Sequence, residues 1–169
     1  MLTVLLECRD QESELAQTLS VLVAGAVEGL VSDVAVIDLG STDASSRVAD
    51  AAGCRFHQEC DLAEVLQAAR GEWLMLLETG ARPQSGWVDE VMEHVALQAR
   101  PARFSPSRNH RRPLMKRFFA RPVLEQGLIL RKGDALAGLT QGMRLADLAK
   151  ARKPYQLISE LVPAWAARP

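Results

Sequence analysis

The chain is poor in several things that would each point to a function class. It has 3 cysteines in 169 residues. Cys8, Cys54 and Cys60 are odd in number and form no cluster of pairs, so a disulfide framework is not expected and free thiols are. Aromatic residues make up 5% of the chain, and Phe104, Phe118 and Phe119 are the only ones near its basic stretch. Without a reader motif or interleaved stacking residues, nucleic acid is not an expected partner. No apolar run approaches the roughly 18 residues of a membrane-spanning helix. The opening MLTVLLECRD has no basic region ahead of its short apolar run, so a cytoplasmic location is the expectation. Repeats and low-complexity tracts are missing too, and 48% hydrophobic against 24% charged residues describes one domain with material for a core.

Acidic residues are unevenly withheld. Residues 1–93 hold 17 Asp/Glu and 5 Lys/Arg, and residues 94–169 hold 4 and 15. No acid occurs between Glu93 and Glu125, whereas Arg100, Arg103, Arg108, Arg111, Arg112, Lys116, Arg117 and Arg121 all fall there. Such a run suits an anion-binding face, a charge-complementary contact within or between chains, a peripheral contact with an anionic membrane, or a solvated loop.

The remaining pattern alternates strand and helix. Leu2 to Leu6 is a buried-type strand, and Leu15, Leu19, Leu22 and Ala26 recur at helical spacing behind Glu12 and Glu14. Val34 to Asp38 is a second strand, followed by the turn Gly40-Ser41-Thr42-Asp43 and a helix from near Ala44 to Gly53. Arg55 to His57 reads as a brief strand, Leu62 to Ala69 as a helix ended by Gly71, and Trp73 to Leu77 as the strongest strand. Pro83 is expected to open a helix carrying Trp87, Val91 and Val95 on one face. Pro101, Pro106, Pro113 and Pro122 break the next segment into loops or edge pieces. A strand at Gly127 to Leu130 and helices near Asp134 and Leu145 follow. Short links between such units imply an α/β fold: a mostly parallel sheet with helices on both faces.

In an open parallel sheet, ligands bind beyond the carboxyl ends of the strands. Here those ends carry Glu7 to Asp10, Asp38 to Asp43, and Glu78 to Arg82. The segments LTVLLECRDQ, VIDLGSTD and ARGEWLMLLETG, in that order, resemble a family 2 glycosyltransferase with the GT-A, nucleotide-diphospho-sugar transferase fold. Its members read as a strand ending Pro-Thr-Tyr-Asn-Glu, then Val-Val-Asp-Asp-Gly-Ser-Thr-Asp, then an apolar strand ending Asp-x-Asp. The resemblance covers about residues 2 to 98 well and continues weakly to Leu148, with IDLGSTD its most specific part. It implies one GT-A domain over 1–169, with residues 1–98 the nucleotide-binding half and 99–169 a basic, acceptor-side half.

Position by position, the resemblance implies that Arg9, Asp10, Asp38, Ser41 and Asp43 bind the nucleotide. Leu39 stands where a second acid would meet the base. Glu78 and Gly80 occupy the places of the two metal-binding acids, so a single carboxylate is left to hold Mn2+ or Mg2+ weakly. Metal-independent neutralisation of a leaving diphosphate by Arg108, Arg111, Arg112 and Lys116 is an equal alternative. Arg144 to Leu148 falls on the family's Glu-Asp-x-Asp-Leu segment. Leu145 cannot abstract a proton, and Asp147 is the nearest acid for a catalytic base. The implied activity is transfer of a sugar from a nucleotide diphosphate to a hydroxyl. The alternative is a non-catalytic module binding a nucleotide, a partner, a second copy or an anionic membrane through its Arg-rich half. Bland readings stand beside these: Asp43 as a helix cap, Asp38 as an acceptor for loop amides, Glu78 as a solvated loop acid. Cys54, His57 and Cys60, spaced by three with no fourth ligand, do not suggest zinc.

Overall fold

The computed structural model describes residues 1–110, 122–150 and 153–167. In chain order the elements are β1 (Leu2–Cys8), α1 (Glu12–Val27), β2 (Val31–Asp38), α2 (Ser45–Ala51), β3 (Arg55–Gln58), α3 (Leu62–Ala68), β4 (Trp73–Glu78), β5 (Arg82–Pro83), α4 (Trp87–Leu97), β6 (Ala102–Pro106), β7 (Leu128–Arg131), α5 (Lys132–Ala137), α6 (Leu145–Lys150) and β8 (Tyr155–Val162), then a 3-10 helix over Ala164–Ala167. No helix among the described residues is long and apolar enough to cross a membrane.

The strands form one sheet in the order β3-β2-β1-β4-β7-β6-β8-β5. Ladders β3–β2, β2–β1, β1–β4 and β6–β8 are parallel, and β4–β7, β7–β6 and β8–β5 antiparallel. The α/β class and the helices on both faces are as the pattern implies; the antiparallel ladders are what it did not anticipate. The pleat sorts the central side chains. Leu2, Val4, Leu6, Cys8, Val36, Met75 and Leu77 face α1, α2 and α4, whereas Leu5, Ala35, Ile37, Leu74 and Leu76 face α3, α5 and α6. Each fully buried aliphatic chain of this kind stabilises by about 1.5–3 kcal/mol.

Several local expectations are corrected. Pro83 does not open a helix: it lies in β5 opposite Leu161, at the sheet edge, where its missing N–H is harmless. The helix starts four residues later, after Gly86 at φ 84°. Between Pro101 and Ser107 the chain forms an interior strand, β6, between β7 and β8, with Pro101 just before it and Pro106 at its end. The eight-residue β8 had no counterpart in the sequence reading. Its register against β6 slips between Arg103 and Ser105, so two extra residues bulge outward and Ile158 is 83% exposed. Glu90 of α4 holds the bulge, accepting from the Ile158 (2.6 Å) and Ser159 (2.7 Å) amides.

Candidate functional site

The carboxyl ends of β1, β2 and β4 lie side by side. Cys8 is in register with Asp38 and Glu7 with Glu78, so Asp38 and Glu78 continue opposite faces of the sheet. The two acids are therefore not a convergent pair.

Asp38 is 6% exposed. Its carboxylate accepts from the Ser41 amide at 3.0 and 3.2 Å and from Gln58 Nε2 at 3.4 Å. Burial pushes its pKa up, but the hydrogen bonds from Ser41, Gln58 and the Gly40 amide outweigh burial and hold it below its ordinary value. Gly40, at φ 89°, makes the tight turn that aims these amides back. The result is a buried carboxylate that stays ionised at the strand end.

The loop after β1 is laced to the loop after β2. Asp10, in the left-handed region at φ 49°, donates its amide to Ser41 Oγ (3.0 Å). Its carboxylate accepts from the Thr42 amide (2.7 Å), the Thr42 hydroxyl (3.2 Å) and the Asp43 amide (3.3 Å). Asp43 bridges two helices by accepting from the Glu12 amide at the start of α1 (3.0 Å) and the Ser45 amide at the start of α2 (2.9 Å). The Ser45 side chain is the chief cause of its lowered pKa, with the Ser45 and Glu12 amides adding to it against an opposing effect of burial. Arg9 is exposed at the same rim. The structure thus brings Arg9, Asp10, Asp38, Ser41 and Asp43 together, with Asp10, Ser41 and Asp43 serving as the fastening of the rim.

The other end of the site differs. Glu7 reaches α6: its Oε1 accepts from the Leu145 amide (3.0 Å) and its Oε2 from Arg144 (2.6 Å), which raises the Arg144 pKa. Leu145 is fully buried. Asp147 accepts from the Arg144 amide (3.0 Å) and from Lys150 (2.6 Å), a capping arrangement. The Lys150 bond is the first cause of its lowered pKa, so it is a poorer proton acceptor than an ordinary Asp. Arg108 is paired with Glu160, Nε to Oε1 at 3.1 Å, with its side chain 85% exposed. Arg111, Arg112 and Lys116 lie outside the described residues.

The donor set does not fit a divalent cation at the end of β4. Glu78 supplies one carboxylate, and position 80 has no room for a second. Gly80 sits at φ 103°, and a Cβ there would lie 3.0 Å from the Ala164 carbonyl oxygen and 3.2 Å from the Ala167 methyl. Its amide donates to the buried Thr18 hydroxyl (2.8 Å), which in turn donates to the Ala81 carbonyl (3.0 Å). The 3-10 helix packs where the second acid would extend. Among the described residues no group of three His, Cys, Asp or Glu is placed to hold a metal ion. Cys54 is unpaired, and burial raises its thiol pKa to about 11.

Two contributors escaped the sequence reading. Thr18 carried a signal, a hydroxyl inside the Leu15, Leu19, Leu22 stripe. Gln58 carried none, because its approach to Asp38 depends on the β2–β3 register. Glu7 was named at the strand end, but its bonds to Arg144 and the Leu145 amide of α6 were not anticipated.

No family model matches the chain, and no curated protein sequence does either. Solved structures do. Glucosyl-3-phosphoglycerate synthase from Mycobacterium tuberculosis, in complex with Mn2+, UDP and glucosyl-3-phosphoglycerate, is 17% identical with a TM-score of 0.59, the match covering 80% of this chain and 58% of that one. The same enzyme with Mn2+ and UDP-glucose is 19% identical with a TM-score of 0.61, over 83% and 59%. A mycobacterial protein of unstated activity is 21% identical with a TM-score of 0.60, over 80% and 54%. The chain therefore spans a little over half the length of the structures it matches. These likenesses show the fold alone: the chain has the GT-A architecture of the structures it matches.

Proposed function

We propose that this chain is a glycosyltransferase-like GT-A domain that takes a nucleoside diphosphate sugar at the rim of β1 and β2, without a divalent cation. The reading is carried by Asp38. A buried carboxylate kept ionised by loop amides suits the hydroxyls of a ribose or the N–H edge of a base. Solved neighbours holding UDP and UDP-glucose support a donor of that class. On this reading residues 1–98 bind the nucleotide, residues 99–169 face the acceptor, and the domain works in the cytoplasm.

In sugar transfer the acceptor oxygen would attack the anomeric carbon while the bond from that carbon to the diphosphate breaks. The bonding electrons leave with the diphosphate, and the acceptor's proton passes to a base. Cationic side chains of the Arg-rich stretch, Arg108, Arg111, Arg112 and Lys116, are the candidates for stabilising the leaving charge. Asp147 is the candidate base. Its capping role and lowered pKa favour a second reading, a module that binds the nucleotide and docks its basic half on a partner or an anionic membrane without turning over.

Thermal melts with UDP and UDP-glucose, with and without Mn2+ or Mg2+, test both. The expected result is a rise in Tm that metal does not enhance and that Asp38→Asn weakens, with about tenfold lower affinity, or about 1.4 kcal/mol. No rise with any nucleotide overturns the proposal, and a rise that requires metal overturns its metal-free part. Release of UDP from UDP-glucose beside hydroxyl acceptors separates the enzyme from the silent module.

A further inference from the structure

A cavity of about 330 Å³ lies between β6, the stretch leading into β7 and the end of α6. Arg103, Val123, Glu125, Leu128, Lys150 and Pro154 are among its walls. Ala102 and Phe104 of β6 are fully buried in the layer of α1 and α4, so the alternation of the strand turns Arg103 to the other face, beneath α6. That is an unusual direction for a guanidinium. Its Nε is buried with no hydrogen-bond partner, and the group makes no ion pair or hydrogen bond with any described residue.

The contrast with other arginines is informative. Arg55 also buries an Nε without a partner, but its terminal nitrogens are bonded to Asp33 and the Ala68 carbonyl; Arg82 is bonded to Gln17, Arg108 to Glu160 and Arg144 to Glu7. A half-buried cation without a counter-charge is unfavourable, and the fold retains one facing a cavity. Across the same cavity Lys150 spends one donor on Asp147 and has two more. The wall's acid, Glu125, accepts from the Trp165 indole at 3.2 Å. Among the described residues, two cations thus face one occupied carboxylate, with apolar Val123, Leu128 and Pro154 beside them. The volume falls at the small end of organic-ligand pockets, above what a bare ion needs.

We infer that this cavity binds a small organic oxyanion, a phosphate or carboxylate on a short carbon skeleton, gripped by the Arg103 fork and Lys150 with its carbon part against Val123, Leu128 and Pro154. The site shares no residue with the β1–β2 rim, so its failure leaves the nucleotide reading untouched, and the converse holds.

The test uses the full chain at constant ionic strength, with inorganic phosphate and glycerol phosphate as probes and chloride as the reference. Glycerol phosphate should raise Tm by roughly 3–6 °C at about ten times its Kd, inorganic phosphate by less, and chloride not at all. Arg103→Gln should abolish the response, Lys150→Met should weaken it several-fold, and Arg47→Gln on exposed α2 should leave it intact. In anion-free buffer Arg103→Met should melt no lower than the parent, because an unpaired buried donor has been removed; a structural arginine would lower it. Flotation with phosphatidylglycerol vesicles separates the sources of the anion: Arg103-dependent binding assigns a lipid headgroup, and a response to the soluble ester alone assigns a soluble ligand. The inference is overturned by the lack of an anion-specific shift, by a shift that Arg103→Gln retains, or by destabilisation or misfolding of the Arg103 variants in anion-free buffer.

Discussion

Strands β3, β2, β1 and β4 are joined by parallel ladders and packed on both faces by aliphatic side chains, whereas β7, β6, β8 and β5 are joined by mixed ladders and fastened by carboxylates. Glu90 holds the β8 bulge, Glu160 takes Arg108, and Glu7 crosses from β1 to cap α6. Both regions rest on buried apolar area, which is indifferent to protonation, and the first has its own ion pair in Arg55–Asp33. The bulge and edge of the second add fastenings by ionised groups, which are not indifferent to protonation. The same division runs through the site. The β1–β2 rim gathers Asp10, Asp38 and Asp43 as hydrogen-bond acceptors, while at the end of β4 position 80 is a glycine and Asp147 on α6 is tied to Lys150.

The largest break should come from the aliphatic region. Leu76 is fully buried against the α3, α5 and α6 layer. Leu76→Ala should lose about 3–4 kcal/mol in urea unfolding, with an unchanged m value and nearly the same loss at every pH from 5 to 8. A loss that varied strongly with pH would deny the division just drawn.

Next comes the attempt to restore the missing metal acid. Gly80→Asp forces a side chain into a left-handed turn against Ala164 and Ala167, which should cost about 2–3 kcal/mol. It should yield no Mn2+ affinity in isothermal calorimetry. A variant that melts with the parent and binds Mn2+ would show that the 3-10 helix yields to the side chain, and the metal-free reading would fall with it.

A smaller effect tests the polar region. Glu90 is lowered below its ordinary 4.5: burial raises it, and the bonds from Ser159 and the Ile158 amide outweigh burial. A carboxyl whose folded pKa is below its unfolded one stabilises above the unfolded value, and that contribution is lost as pH falls through the folded one. Glu90→Gln should therefore cost about 1 kcal/mol at pH 7, discounted for partial exposure. The two proteins should converge as the pH falls through the lowered folded value. A gap that persists in acid would mean that shape, not charge, holds the bulge.

How far the fold could be read from the chain follows the same line. VAVID and WLMLL announce strands because a strand buried on both faces needs only an apolar run, and Asp38 and Glu78 mark the ends because the apolar run stops there. β8 was invisible. Its Tyr155, Gln156 and Ile158 are exposed and its register is broken, so no period-2 pattern survives. Pro83 misled because a proline suits a helix start and an edge strand equally, and only pairing with Leu161 decides. The rim acids were legible as a group, since GSTD is local turn chemistry. Their division of labour was not, because whether Asp43 touches a ligand or the Glu12 amide depends on how α1 enters the rim, a contact 31 residues away in the chain.

The least perturbing substitution is the most decisive for chemistry. Asp147 is exposed enough, and its partners Lys150 and Arg144 local enough, that Asp147→Asn should barely change Tm: the amide oxygen still accepts from the Arg144 N–H, and only the Lys150 pair is lost. Nucleotide affinity should not move, since Asp38 lies on a different element. Sugar transfer is the discriminating readout. A carboxylate held low by Lys150 has little appetite for a proton at pH 7, so whatever transfer the parent shows should survive in the variant, with the same dependence on pH. If transfer instead collapses while UDP still binds, the Lys150 pair must open in the ternary complex and Asp147 must take the acceptor's proton, which would make the acceptor half of this domain an active one.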